Sequence, residues 1–200
     1  WNKVTNFSVR RLIREATFGF PEIDREEVWR CTTCGRCPEV CPRDVRQVED
    51  MVAMRRMAVG YGVSPSFLRM VRSATAGLAA EGNPFVEDRA NRAAWAEGHN
   101  VQTFTEEMEI LYFPGCFPSY DARLQNVARA TADILHKAAV EFGILGTKEN
   151  CCGESIRKVG NEDLFKTLAK ENIKTFIENG VKRILVSSPH CYHTFKNEYP

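Results

Sequence analysis

The chain has 200 residues, with 27 Lys plus Arg against 26 Asp plus Glu and a formal net charge of +1. A balance this close to neutral gives no reason to expect nucleic acid as a partner, and no apolar run approaches the ~20 residues that span a bilayer. Nothing at the start resembles a signal peptide. The chain begins at Trp1 without Met and stops at Tyr199-Pro200, so it reads as a piece of something longer, with flanking segments of the same chain missing.

In chain order, Asn6 or Ser8 caps a predicted helix through Ala16, with Val9, Leu12, Ile13 and Ala16 on one stripe. Pro21 opens a second short helix, with Asp24 as cap before Arg25–Trp29. A cysteine loop runs from Cys31 to Pro42. Asp44 then opens a helix to about Val59, offering Val45, Val48, Val52, Met54 and Met57 for packing, and Gly60-Tyr61-Gly62 ends it. Ser64-Pro65 opens another helix to about Ala80, broken by Gly82-Asn83-Pro84. A short helix covers Glu87–Ala96, and residues 98–107 read as a polar linker.

The pattern then changes. Residues 109–113 (Glu-Ile-Leu-Tyr-Phe) form a predicted buried strand, and Asp121 opens an amphipathic helix to about Phe142. Gly143–Gly146 is a short strand. Asn161 caps a helix through Ile177, closed by Asn179-Gly180, and Lys182–Ser187 is another buried strand. Strand, helix, strand, helix, strand implies a parallel sheet. The expected architecture is an α-helical cluster domain over residues 1–100, followed by an α/β domain with a small parallel sheet over 101–200.

Two cysteine sets carry the chemistry. The first is Cys31-Thr-Thr-Cys34-Gly-Arg-Cys37-Pro-Glu-Val-Cys41-Pro42, spaced C-x2-C-x2-C-x3-C-P. That spacing wraps a [4Fe–4S] cube, because two intervening residues let successive thiolates reach neighbouring irons. Gly35 permits a turn that points backbone N–H groups at the sulfurs, and Pro42 turns the chain away after the last ligand. Thiolates this crowded suit one metal centre in a reducing compartment better than disulfides. Zinc ribbons use two separated C-x2-C hooks, which this is not. In two-cluster ferredoxins the fourth cysteine of such a run serves the other cluster, which would leave a partner motif upstream of Trp1. Arg30, Arg36, Arg43 and Arg46 surround the loop, either as a docking or charge-offsetting patch or as a solvated face.

The second set is Cys116, the adjacent pair Cys151-Cys152 followed by Gly153, and Cys191. Thirty-four residues separate Cys116 from Cys151, and the set falls at predicted C-terminal strand ends, where open α/β sheets place ligands. Adjacent cysteines rarely bridge each other, and Gly153 relieves crowding at the pair. The reading is a second iron–sulfur centre, with buried free thiols or a structural zinc site as the competing one.

Cys116…Cys151-Cys152-Gly153…Cys191 resembles one copy of the cysteine-rich CCG domain of heterodisulfide reductase and its relatives. Phe7–Ala16 ahead of Trp29–Cys34 is similar to the dicluster ferredoxin subunit of the same enzymes. Phe113-Pro-Gly-Cys116 and Ser188–Pro200 are similar to iron–sulfur oxidoreductases that pass electrons from electron-transferring flavoprotein to quinone. The resemblance covers almost the whole chain. It implies a ferredoxin-like first domain, a second CCG copy after Pro200 and a further ferredoxin motif before Trp1. It also implies a fifth cysteine in a C-x-x-C, where this chain has Thr194 after Cys191. The departure favours an ordinary cube over a noncubane cluster, with His190 or His193 as candidate replacement ligands.

Of the remaining residues, Met51, Met54, Met57 and Met70 are expected to pack, and Tyr112, Phe113 and Phe117 either shield a centre or fill the core. No G-x-G-x-x-G loop or P-loop occurs, so no flavin or nucleotide site is expected in this segment. The function implied is an iron–sulfur electron-transfer subunit of a heterodisulfide-reductase-like oxidoreductase; no catalytic residue is assigned. Its partners would be other redox subunits, either a flavoprotein or a membrane quinone-reducing or cytochrome subunit. The expected location is cytoplasmic or on the cytoplasmic face of a membrane. The alternatives are a relay from flavoprotein to quinone or from a 2-hydroxy-acid dehydrogenase without disulfide chemistry, and a zinc-binding structural module.

Overall fold

The computed structural model describes residues 7–19, 26–63 and 69–200, the first two of the last range by backbone alone. They divide into two compact units, one built from the described residues before position 64 together with Ser155–Asp163, the other from Arg69–Glu154 and Leu164–Pro200. Residues 69–100, grouped by sequence with the cysteine loop, are thus grouped with the sheet.

The first unit is helical. Helix α1, Val9–Thr17, is capped by Ser8, whose hydroxyl accepts from the Arg11 amide. Short helices α2, Glu27–Arg30, and α3, Arg36–Glu39, flank the first cysteines, and α4 runs Gln47–Gly60. Leu12 and Met54, both on the predicted stripes, form the core with Val28 of α2 and Met51. Two details depart from the sequence reading. Asp44 adopts positive φ in the loop and α4 begins at Gln47. Met57 and Val45 are exposed, since the buried stripe of α4 runs through Met51, Val52, Met54, Arg55 and Ala58. The expected Asn6 cap, the helix start at Pro21 with Asp24, the Ser64-Pro65 start and the Met70 side chain lie outside the described residues.

The second unit opens with α5, Arg69–Glu81, and a 3₁₀ helix, Arg89–Ala96. Four parallel strands follow: β1, Gln102–Thr103; β2, Ile110–Phe113; β3, Phe142–Ile144; and β4, Ile184–Val186. Their order is β1-β3-β2-β4, with Leu111 opposite both Gly143 and Ile184. Helices α6, Cys116–Tyr120, and α7, Gln125–Lys137, lead from β2 to β3. Helices α8, Glu154–Lys158, and α9, Glu162–Glu178, lead from β3 to β4, and α10, Pro189–Asn197, follows.

Alternate residues of each strand face opposite sides, which is why these strands are apolar throughout. Tyr112 and Ile144 meet Trp95, Ala128, Ala132 and Leu135 of the 3₁₀ helix and α7. Leu111 and Phe113 meet Phe104, Leu145 and Phe176 of α9 on the other face. The crossover from β2 moves one way across the sheet and that from β3 moves back, so right-handed connections put their helices on opposite faces. The C-terminal ends of the strands at that reversal are where such sheets hold ligands.

Two boundaries correct the sequence reading here too. The helix expected to reach Phe142 ends at Lys137: the amides of Ala139 and Val140 fold back on the carbonyls of His136 and Leu135, and Ala139 takes positive φ. That turn frees Phe142 to start β3. The expected linker contains β1, a two-residue edge strand with both side chains exposed, held by backbone pairing to β3 and anchored by buried Phe104. By contrast, Asn179-Gly180 closes α9 as expected, with Gly180 and Val181 amides bonding back to Ile177 and Phe176 carbonyls. Among the described residues no helix is long and apolar enough to cross a membrane.

Candidate metal centres

In the helical unit, Cys31, Cys34, Cys37 and Cys41 come together: the Cys37 thiol is pushed up by burial and by the charges of the other three. The loop aims amides at its sulfurs. The Thr33 N–H lies 3.4 Å from Cys31 Sγ. The Arg36 amide holds Cys34 low, and the amides of Val45 and Arg43 do the same for Cys41. Gly35 makes the first of these turns possible, with φ +78° and nothing within 4 Å of where a Cβ would stand. Arg55, buried on α4, ties the loop down. Its guanidinium donates to the carbonyls of Val28, Cys31 and Lys158 and lies over the Trp29 ring. The surrounding arginines form a solvated face, with Arg30, Arg36 and Arg46 in exposed local pairs to Glu26, Glu39 and Glu49. Such pairs are worth about 0–1 kcal/mol each.

In the sheet unit, three strand ends deliver the second set. Cys116 follows β2 through Gly115 and starts α6; Cys151-Cys152 lies between β3 and α8; Cys191 lies in the first turn of α10, which Ser188 caps. Cys116, Cys152 and Cys191 are buried and Cys151 half-buried. The four thiols touch in a row. Contact with Cys151, then burial, pushes Cys116 up. Cys151 gains from Cys116, but Cys152 and burial outweigh this and push it up to about 12. Cys152 is likewise raised, by Cys191 and burial over the opposing contact with Cys151. Gly115, φ +85°, leaves room for the convergence, since a Cβ there would stand 3.3 Å from Cys191 Sγ.

The adjacent pair is fixed from behind. Fully buried Asn172 of α9 accepts the Asn150 amide at 3.0 Å and donates to the Cys151 carbonyl at 3.1 Å and to the Tyr199 hydroxyl. Tyr199 donates in turn to the Cys152 carbonyl at 3.1 Å. Gly153 places its amide 3.5 Å from Cys151 Sγ. Arg92, equally buried, directs Nη1 to Cys116 Sγ at 3.8 Å and Nε to Glu149 at 3.2 Å. The sequence gives no role to Arg92, Glu149 or Asn172, and it shows Gly115 and Tyr199 only as members of the Phe113–Cys116 and Ser188–Pro200 segments.

The histidines point elsewhere. His190 pairs with buried Glu154 at 3.1 Å and His193 with Glu198 and Asn197. Thr194 is wholly buried, its hydroxyl without a hydrogen-bond partner. Tyr112 and Phe113 are buried, whereas Phe117 is exposed and stacks edge-on with Phe85. Among the described residues no group of three or more His, Cys, Asp or Glu is arranged to hold a single metal ion. The donor sets are sulfur throughout, and soft thiolates that accept amide hydrogen bonds suit zinc or iron–sulfur centres and no hard cation.

Residues 110–196 match the model of the CCG cysteine-rich domain. Over 194 residues the chain is 37% identical to the EtfAB:quinone oxidoreductase of Syntrophomonas wolfei, covering 93% of the chain and 27% of the relative. It is 38% identical over 188 residues to "Probable iron-sulfur-binding oxidoreductase FadF" of Bacillus subtilis, covering 89% of the chain and 26% of the relative. It is 30% identical over 210 residues to one subunit of the dihydromethanophenazine:CoB–CoM heterodisulfide reductase of Methanosarcina mazei, covering 100% of the chain and 49% of the relative. The chain thus spans between a quarter and a half of the length of these relatives. No solved structure matches it. The matched segment contains the whole second cysteine set, which marks residues 110–196 as a cysteine-rich domain of the CCG kind.

Proposed function

We propose that the chain holds two iron–sulfur centres and relays single electrons between a redox partner and the CCG-domain centre, as part of a heterodisulfide-reductase-like oxidoreductase. Cys31, Cys34, Cys37 and Cys41 would hold a [4Fe–4S] cluster in a ferredoxin-type helical unit, and Cys116, Cys151, Cys152 and Cys191 would hold the second. The observation that carries this is a shared local device: in both sets a thiol accepts the amide two residues further on. It is seen at Cys31 with Thr33 and at Cys34 with Arg36. It recurs at Cys41 with Arg43, Cys151 with Gly153 and Cys152 with Glu154. When bound, such clusters supply one-electron reservoirs at potentials tuned by sulfur hydrogen bonds, charge and burial. The amides stabilise negative charge on sulfur, and Phe113, packed in one apolar cluster with Cys152 and Cys191, excludes water from the second set.

Within this reading, relay from flavoprotein to quinone without disulfide cleavage is the second possibility. Thr194 favours it, because this copy lacks a fifth thiol. The name of the Syntrophomonas relative agrees with it. The partner is then a flavoprotein or a membrane quinone-reducing subunit, and the chain works at the cytoplasmic face of the membrane.

The test is anaerobic reconstitution with iron and sulfide. Two cubes require about eight iron and eight sulfide per chain. Cys34→Ser and Cys152→Ser should each remove about half, and from different spectral species. Stoichiometric zinc with no labile sulfide would establish the structural module instead. Turnover of the reconstituted protein with heterodisulfide, or with reduced flavoprotein plus quinone, separates the two redox readings.

A further inference from the structure

Cys116 lacks the shared device, and the sequence forbids it there. Two residues after it stands Pro118, which has no N–H to donate. The donor that reaches its sulfur comes from 24 residues upstream: Arg92 Nη1, at 3.8 Å. Arg92 is 1% exposed, and its other nitrogens are also engaged, Nε with Glu149 Oε2 at 3.2 Å and Nη2 with the Asn150 carbonyl at 3.4 Å. The guanidinium lies 5.3 Å from the Phe113 ring centroid. Its charge is therefore held in one orientation with water excluded.

A buried Arg–Glu pair is a poor device for stability alone. Desolvating both ions costs several kcal/mol each, and apolar residues of similar volume commonly serve as well or better. The pair is also asymmetric. Glu149 shares its charge with the Leu145 amide, 3.1 Å from Oε1. Arg92 turns its remaining face to the cysteine, so a thiol ligand on Cys116 sees the positive end of the pair at contact distance and the negative end beyond it.

We propose that Arg92, anchored by Glu149, is a fixed counter-charge for the centre held by the second cysteine set, and that this pair sets the reduction potential of that centre. The inference rests on the iron–sulfur reading above. An electron added to a thiolate-bound cluster adds one negative charge, and a desolvated cation beside a ligand sulfur favours the reduced form. Arg92 raises the potential, and Glu149 holds it below the value an uncompensated arginine would give. Arg92 is a positioning residue acting through Cys116.

The two residues therefore make predictions of opposite sign, which a structural role does not. The experiment uses the chain with Cys34→Ser and Cys37→Ser, so that only the second set can assemble a cluster, reconstituted anaerobically and titrated with redox dyes under EPR. Arg92→Gln should lower the reduced-to-oxidised ratio at fixed solution potential at least tenfold, a 59 mV downward shift for a one-electron couple. Glu149→Gln should shift the midpoint upward, and Arg92→Lys should fall between Gln and the parent. Midpoints that move together, or not at all, overturn the proposal. If Arg92→Gln fails to load, the Lys and Glu149→Gln variants decide it by the same signs. A parent that binds no iron and sulfide at this set overturns the iron–sulfur reading itself, and the inference falls with it.

Discussion

The two thiol sets face the same electrostatic problem, that of gathering four sulfurs in one place, and meet it with different materials. The first is local: its four cysteines lie between positions 31 and 41, Cys34 is exposed, and its hydrogen-bond donors are mainly backbone amides of the same loop. The second is assembled from three strand ends far apart in sequence, is mostly buried, and takes one donor from a buried guanidinium. A loop that can be hydrated draws mainly on its own backbone amides, with Thr32 and Gln47 side chains beside them. A site within an apolar core, among Phe113, Phe176 and Leu145, must bring its own charge.

The largest expected effect comes from one substitution made at both sites. Gly35 and Gly115 share the left-handed region of φ, but their surroundings differ. An alanine at Gly35 meets open space, so its cost is the backbone alone, about 1–2 kcal/mol. Reconstitution of the first centre should survive it. An alanine at Gly115 adds a Cβ 3.3 Å from Cys191 Sγ, on two elements held by the sheet. Gly115→Ala should lose most iron and sulfide of the second set while leaving the first intact. Equal cluster retention in the two variants would show that the second set does not depend on this close approach.

That contrast also marks what a sequence discloses. The strands Ile110–Phe113 and Ile184–Val186 and the Gly180 helix stop were readable, because each is written in contiguous residues. The first α/β crossover was read too long because Ala138, Ala139 and Val140 carry no breaker; only the turn at Ala139 frees Phe142 for the sheet. The strand at Gln102–Thr103 hid in polar residues because backbone pairing alone defines it. The roles of Arg92, Asn172 and Tyr199 were invisible for a different reason. Each residue reaches the cysteines across 21 to 47 residues of chain, and nothing in a single sequence couples such positions.

A middle-sized effect tests the two clamps. Arg55 grips the Val28, Cys31 and Lys158 carbonyls, and Asn172 grips the Asn150 amide and the Cys151 carbonyl. Each buried backbone group left unpaired costs roughly 1–3 kcal/mol. Arg55→Met and Asn172→Ala should therefore both lower the urea midpoint of the cluster-free chain. With cluster present the effects should separate, Arg55→Met broadening the spectrum of the first centre and Asn172→Ala that of the second. An exposed control, Glu39→Gln, removes only a surface pair and should change the midpoint by less than about 1 kcal/mol equivalent.

The smallest effect is chemical rather than structural, and its sign follows from the thiols themselves. Thiolate, not thiol, attacks an alkylating agent. Amides from Arg36 and from Val45 and Arg43 hold Cys34 and Cys41 below the ordinary thiol range, so at pH 8 these carry the larger thiolate fraction. Contact with a neighbouring thiol and burial push Cys116 and Cys152 up, and Cys151 rises to about 12, so at the same pH they remain protonated. In the cluster-free chain, brief iodoacetamide treatment followed by peptide mass spectrometry should label Cys34 and Cys41 first. Cys37, raised by burial and its neighbours, should trail them. Raising the pH should bring in Cys116, Cys151 and Cys152 last, and mild denaturant should erase the order by removing both amides and burial. Labelling of Cys116 in step with Cys34 at pH 8 would mean that the buried set opens to solvent when no cluster holds it, and that its enclosure depends on the metal rather than on the sheet.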